Sequence, residues 1–350
     1  MFKRWGTHGP PRAPSFRAAH RRLASGLPAG EAGLRPPRLA HGSSEIGASS
    51  LLSQRPAGLR ESLSIAWSYW ALVSEPIVIS PGGGELIRDT SGSRVEIVSD
   101  AEPLNATWSR FAPHRVGADL HVHRHHVDLF YVLEGELTVR LGVDDEPVAV
   151  PAGTLARVPP LVVHGFRNRS NADVSYLNFH TPGRQFSDYL RALRDGREFS
   201  YDQHDPPEDG GRPTSEAVVG GEELVVDRPG LRVALLADVE EIGVSETTSE
   251  PGGVAPPQHV HRRHVESFYV LAGELTFAAG GRELEATAGT WVQVPPDTPH
   301  TFAVTGDGEA RFLNVHTPSC GYGAFLRRLH EARTDEELTA ARAAFDQEPM

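Results

Sequence analysis

Residues 121–135 read HVHRHHVDLFYVLEG and residues 259–273 read HVHRRHVESFYVLAG, so one pattern occurs twice: His-x-His, four residues, an acid, six residues and a glycine. Each copy is followed by another histidine behind a Pro-Pro pair, His164 after Pro159–Pro160 and His300 after Pro295–Pro296, 136 residues apart. Three imidazoles and one carboxylate therefore recur as a set. A lone buried histidine is usually just a hydrogen-bonded core residue, but eleven of the 17 histidines fall in these repeated segments and six of them stand at matching spacings. That is a metal-ligand pattern.

Strand geometry shows how the set could converge. Alternate residues of a strand share a face, so His121 and His123, and likewise His259 and His261, project into one space. The acid follows five residues after the second histidine, an odd offset that a straight strand would send to the opposite face. The chain is expected to turn through the polar Arg124–His126 and Arg262–His264 and to bring the acid back on the partner strand of a hairpin, with Gly135 and Gly273 marking the next turn. The last histidine then arrives on a strand that begins after the Pro-Pro turn. By this reading His126 and His264 are surface or supporting groups in the turn. His180 and His316, each before Thr-Pro, are structural, and Phe130, Val132, Phe268 and Val270 fill a barrel.

The duplication extends beyond the histidines. YLNFHTP at 176–182 matches FLNVHTP at 312–318, FYVLEGEL at 130–137 matches FYVLAGEL at 268–275, and GGEL at 83–86 faces GGEEL at 220–224. A period of this length means two copies of a complete domain rather than a solenoid. Short alternating runs between Gly-, Pro- and Asp-rich breaks predict an all-β protein from about residue 76 onward. Helical spacing appears only at Phe186–Asp195 and Ala324–Glu331, and Thr334-x-x-Glu337 is a capping-box pattern that opens a last helix to about Phe345. These helices are expected to pack the barrels and carry no chemistry. Residues 76–200 and 218–340 are then the two domains, with the acidic, Pro- and Gly-rich 201–217 as linker.

The remaining composition sets limits. The chain of 350 residues, 39% hydrophobic, can bury two cores. Its formal charge is −12, but residues 1–60 carry ten basic and two acidic residues, so the rest holds −20. Residues 1–60 are low in apolar periodicity and read as a disordered or spurious leader, or as a targeting segment. With 33 arginines against one lysine, translated GC-rich upstream sequence would look the same. The acidic remainder argues against a nucleic-acid partner, and no run of about 18 apolar residues suggests a membrane span. A single cysteine, Cys320, excludes an internal disulfide, and a cytoplasmic location is expected.

The motif pair resembles the cupin superfamily, whose first motif is a glycine-flanked HxH-x3–4-E-x6-G and whose second is G-x5-PxG-x2-H-x3-N. Two copies over residues 76–340 look like a bicupin, which implies two tandem jelly-roll or conical β-barrel domains with short packing helices. Carried over position by position, the family's ligands fall on His121, His123, Asp128 and His164 in the first domain and on His259, His261, Glu266 and His300 in the second. The chain also departs from the pattern. Asp128 stands where the family has Glu and is one methylene shorter, so it is expected to reach an ion only through a strand shift or a water. Gly153, Gly289 and Asn168 are present, but Leu161 and Asp297 replace the turn glycine, and Val304 replaces the second asparagine.

Three neutral imidazoles and a carboxylate leave a divalent ion with open positions, which suits Fe, Mn, Ni or Cu; a closed structural Zn site fits less well without thiolates. The resemblance to quercetinase-type bicupins implies a metal-dependent dioxygenase for a small enol or phenolic substrate, with Glu266 and Asp128 as candidate catalytic groups that take the substrate's hydroxyl proton. The same ligand set also serves decarboxylases and isomerases of the superfamily, as well as non-catalytic small-molecule- or metal-binding cupins. The expected partner is thus a small molecule, bound by a monomer or a homo-oligomer.

Overall fold

The computed structural model describes residues 75–350; the expected leader, residues 1–60, lies outside the described residues. The strand Val127–Glu134 shows why this sequence builds a layered β-protein. Its Val127, Leu129 and Tyr131 join one hydrophobic core while Phe130 and Val132 join another, so both faces are buried and the run is continuously apolar. The equivalent Val265–Ala272 divides in the same way, Tyr269 to the shared core and Phe268 and Val270 to a core of their own.

Each domain is two facing antiparallel sheets. In the first, Val127–Glu134 lies between Val174–Thr181 and Leu155–Val158 in a seven-stranded sheet, opposite a four-stranded sheet of Val116–His121, His164–Arg167, Glu136–Leu141 and Glu146–Pro151. The second repeats this with seven and five strands. Phe111, Phe130, Val132, Leu137, Val139 and Val150 fill the first barrel; Phe268, Val270, Leu275, Phe277, Phe302 and Phe312 fill the second. The acid-bearing strand is not the hairpin partner of the HxH strand. Val116–His121 pairs with His164–Arg167 in the small sheet, so residues 122–126 cross from one sheet to the other. The odd spacing is the signature of that crossing rather than of a reversal.

The domains join by their large sheets. Leu129, Tyr131, Leu177 and Phe179 of one sheet pack with Val244, Tyr269, Trp291 and Leu313 of the other. Two polar bonds cross the same seam, Ser99 Oγ to Gln293 Oε1 at 2.6 Å and Tyr131 OH to Glu246 Oε2 at 2.6 Å. Edge strands are also exchanged: Ile77–Ile79, at the start of the first domain, pairs with Trp291–Val294 of the second, and Val218–Val219, at the start of the second, pairs with Leu155–Val158 of the first.

Three α-helices complete the described residues: α1 (Phe186–Arg194), α2 (Tyr322–Glu331) and α3 (Asp335–Phe345). The expected capping box opens α3, Glu337 N–H donating to Thr334 Oγ1 at 3.2 Å and Thr334 N–H to Glu337 Oε2 at 3.1 Å. None of the described helices is long and apolar enough to cross a membrane.

Candidate metal centres

The eight expected residues come together as two buried groups of four, His121, His123, Asp128 and His164 in one barrel and His259, His261, Glu266 and His300 in the other, with ligand atoms within 4.8 Å of one another. The strands place them directly: His121 lies opposite His164 and His259 opposite His300 across antiparallel pairs. In the first group His121 Nε2 and His123 Nε2 stand 3.2 Å apart, and Asp128 Oδ2 lies 3.2 Å from His164 Nε2 and 3.7 Å from His123 Nε2. In the second, Glu266 Oε2 lies 2.6 Å from His300 Nε2, 3.1 Å from His261 Nε2 and 4.0 Å from His259 Nε2. Asp128, one methylene shorter, thus stands farther from His164 and His123 than Glu266 stands from His300 and His261.

All six imidazoles present the same nitrogen. His121, His123 and His164 donate Nδ1–H to the carbonyls of Asp119 (2.7 Å), Asp202 (2.5 Å) and Val162 (2.9 Å). His259, His261 and His300 donate to those of Pro257 (2.8 Å), Asp346 (2.7 Å) and Thr298 (2.8 Å). With the proton fixed on Nδ1, each Nε2 is a lone pair turned into the cluster. Two such lone pairs facing each other at 3.2 Å, as in His121 and His123, cannot satisfy one another, whereas a cation between them satisfies both. Neighbouring ligands on a six-coordinate ion with bonds of about 2.1 Å would sit about 3 Å apart, close to the separations found here. The donor set is three nitrogens and one oxygen without thiolate, so both clusters are suited to a divalent transition metal such as Fe, Mn, Ni or Cu.

The electrostatics fit a cation as well. Burial, then the charges of His164 and His123, holds His121 well below its ordinary value; burial brings His123 down to about 4 and His259 to about 3. His261 is also opposed by burial, yet its bond to Glu266 raises it. Burial alone would raise Asp128 and Glu266, but the surrounding imidazoles, His180 and His316 foremost, hold both carboxyls well below their ordinary range. Two ionised carboxylates thus lie beside His121, His123 and His259, whose charged forms burial disfavours.

A further ring of polar groups supports each cluster. Asn178 Nδ2 donates to Asp128 Oδ1 (2.5 Å) and to the Leu129 carbonyl (3.0 Å), which turns its Oδ1 to accept from His180 Nε2 (3.1 Å). His180 Nδ1 meets His126 Nε2 at 2.9 Å, and His126 Nδ1 donates to Asp202 Oδ2 at 3.0 Å. The second domain repeats the chain through Asn314, His316, His264 and Asp346 at 2.9, 3.0, 3.0 and 3.1 Å. His126 and His264 are therefore not surface groups; both are 1% exposed. The helices are also closer to the chemistry than expected: Phe186, opening α1, stacks on His180 at 3.6 Å, and Tyr322, opening α2, lies 3.9 Å from His316.

Two parts of this ring went unread in the sequence. The asparagines stand inside the repeated LNFH and LNVH, two residues before a histidine, a spacing that puts both on one strand face. The aspartates belong to a short repeat, YDQ at 201–203 and FDQ at 345–347, hidden because its spacing differs from that of the barrel repeat. Residues 201–211, expected to be linker, pack on the first cluster: the Tyr201 hydroxyl lies 3.1 Å from His126 Nε2 and 3.0 Å from His180 Nδ1.

The residues that replace the turn glycine keep its conformation. Leu161 and Asp297 have φ of 67° and 65°, and their N–H groups donate to the carbonyls of His123 and His261, both at 2.7 Å. One step along each strand face from the donors lies a ring of aromatics, Phe130, Phe166 and Tyr176 in the first barrel and Phe268, Phe302 and Phe312 in the second, with centroids 4.9–6.2 Å apart. Among the described residues no arginine or lysine is buried.

The family model for the cupin domain matches residues 107–180 and 245–316. No curated protein matches the chain significantly. Among solved structures, an oxalate decarboxylase studied for its substrate-binding mode and a reaction-specificity switch is 16% identical, covering 78% of this chain and 85% of its own at a TM-score of 0.51. An oxalate decarboxylase of Bacillus subtilis, studied for its Mn(II) centres, is 16% identical over 70% of this chain and 78% of its own, with a TM-score of 0.50. The formate complex of the Lactobacillus farciminis oxalate decarboxylase is 14% identical over 71% and 87%, at 0.49. At these identities the likeness is one of fold.

Proposed function

The chain is a bicupin, two cupin domains in tandem, and from that premise we propose that it is a metal-dependent dioxygenase acting on a small enol or phenolic substrate. His121, His123, Asp128 and His164, and His259, His261, Glu266 and His300, are the proposed ligands. The observation that carries the reading is the aromatic ring beside each donor set together with the absence of a buried arginine or lysine among the described residues. An aromatic substrate that reaches the donors would meet these packed rings, whereas a small dicarboxylate would find no buried arginine or lysine among the described residues.

A bound divalent ion would supply open coordination positions and acidify a hydroxyl placed there. The chain's own contribution is to hold the donors and to move a proton. Glu266 and Asp128 are ionised and buried, each with one oxygen turned to the imidazoles and the other held by an asparagine amide. A carboxylate so held can accept the hydroxyl proton of a substrate seated beside it.

The deciding experiment measures oxygen consumption by the metal-loaded protein with flavonols and catechols, alongside carbon dioxide release from oxalate. Dioxygen uptake with the aromatic substrates supports the proposal; carbon dioxide from oxalate without dioxygen uptake replaces it by a decarboxylase, the activity of the oxalate decarboxylases whose fold this chain shares. Turnover of neither leaves a binding protein. The ligand assignment is tested separately by elemental analysis: two metal equivalents are expected, falling by one in His259→Ala and by the other in His121→Ala. Unchanged content in either variant overturns that ligand.

A further inference from the structure

Four of the six proposed ligand histidines are anchored locally. His121, His164, His259 and His300 each donate Nδ1–H to the carbonyl two residues earlier, those of Asp119, Val162, Pro257 and Thr298. The second histidine of each HxH pair is the exception. His123 reaches Asp202, 79 residues on, and His261 reaches Asp346, 85 residues on.

Those two aspartates do the same four things. The Asp202 carbonyl accepts from His123 Nδ1, and its carboxylate accepts from the N–H groups of Arg124 (3.1 Å) and His125 (2.8 Å) and from His126 Nδ1 (3.0 Å). The Asp346 carbonyl accepts from His261 Nδ1, and its carboxylate from the N–H groups of Arg262 (3.1 Å) and Arg263 (2.8 Å) and from His264 Nδ1 (3.1 Å). The residues that follow lie alongside the ligand segment, His204 opposite Val122 and Glu348 opposite Val260. The preceding chain differs, however: Tyr201 follows α1 through irregular chain, whereas Phe345 ends the additional helix α3. Two different routes deliver one arrangement, which marks the arrangement itself as the constrained feature.

The geometry points to Asp202 and Asp346 as positioning residues for metal binding. Each clamps the turn after its HxH pair with its carboxylate and, with its carbonyl, fixes the ring and tautomer of His123 or His261 so that Nε2 faces the cluster. An imidazole without its Nδ1 acceptor is free to rotate or to move its proton to Nε2, and either change removes a ligand lone pair. Each centre thus depends on a segment outside its own barrel strands, the first on residues between the domains and the second on residues after α3.

The proposal rests on the ligand assignment above. Its test uses the full chain in His259→Ala and His121→Ala backgrounds, each leaving one centre, with Mn(II) affinity measured by equilibrium dialysis and the Co(II) absorption spectrum reporting ligand geometry. Asp202→Ala and Asp346→Ala keep the carbonyl but remove the carboxylate that holds it against the HxH turn, and are expected to weaken the first and the second centre respectively by about 10- to 100-fold, each leaving the other centre as it was. Asp→Asn, which keeps an oxygen for the backbone N–H groups, is expected to fall between parent and alanine variant, with a Co(II) spectrum nearer the parent's. If an alanine variant does not fold, the asparagine variant decides, through a loss confined to its own centre. Unchanged affinity and spectrum, or equal loss at both centres, overturns the positioning role. A parent without metal instead overturns the ligand assignment.

Discussion

At the scale of single residues, burial of the imidazoles sets the acid behaviour of the metal-free protein. His123 and His259 are lowered from 6.5 to about 4 and about 3, so below pH 6.5 the unfolded chain binds protons that the folded one refuses. Stability therefore rises with pH across that window and falls on acidification, by roughly 1.4 kcal/mol per pH unit for each such histidine. His261, raised by Glu266, offsets part of this. Asp128 and Glu266 add to the loss as the pH drops through the ordinary carboxylate range. Urea unfolding of the metal-free chain at pH 7, 6 and 5 checks this, and a flat profile would contradict it. A second residue-scale expectation concerns Leu161, whose φ of 67° is strained for a branched side chain and open to glycine. Leu161→Gly is expected to raise the unfolding free energy by about 0.5–1 kcal/mol without changing metal content, since the N–H that binds the His123 carbonyl is kept.

At the scale of elements, the helices act through their ends. Helix α3 starts on a reciprocal cap at Thr334 and finishes by delivering Phe345 and Asp346 to the second centre. Thr334→Ala is expected to cost about 1 kcal/mol, seen as a lower urea midpoint. The phenol groups, moreover, are placed differently around the two centres. In the first, Phe186 stacks on His180 while the Tyr201 hydroxyl bonds His180 and His126; in the second, Tyr322 lies against His316 and bonds Asn314 at 3.0 Å, while Phe345 takes the place of Tyr201. The two barrels are copies in their ligands but not in the groups that tune them.

At the scale of the molecule, the domains are not separable beads. Trp291 is fully buried where the large sheets meet, against Phe179 at 6.1 Å, and each domain lends the other an edge strand. Trp291→Ala is expected to cost about 3–5 kcal/mol, read as a lowered urea midpoint. Residues 218–350 expressed alone would expose the apolar face of Val244, Tyr269, Trp291 and Leu313. They are expected to aggregate, and co-expression with residues 75–217 is expected to restore a soluble complex; a soluble, cooperatively folding half would show that the seam is dispensable.

What the sequence determined by itself was whatever depends on short-range order. The period of two along each strand and the repeated HxH spacing sufficed for an all-β tandem and for placing His121 with His123, and His259 with His261, on one face, because each residue's face follows from its neighbours, whereas the barrels and the full ligand sets came with the family resemblance. The capping box of α3 was legible for the same reason. The tertiary structure alone decided which strands pair. The crossing at residues 122–126 reads in sequence just like a hairpin turn, since a polar break says that a strand ends but not which sheet the chain enters next. It also buried His126 and His264 and brought Asp202 and Asp346 to histidines about 80 residues away. Contacts at that separation are fixed by how the sheets and helices pack, and local spacing carries no trace of them.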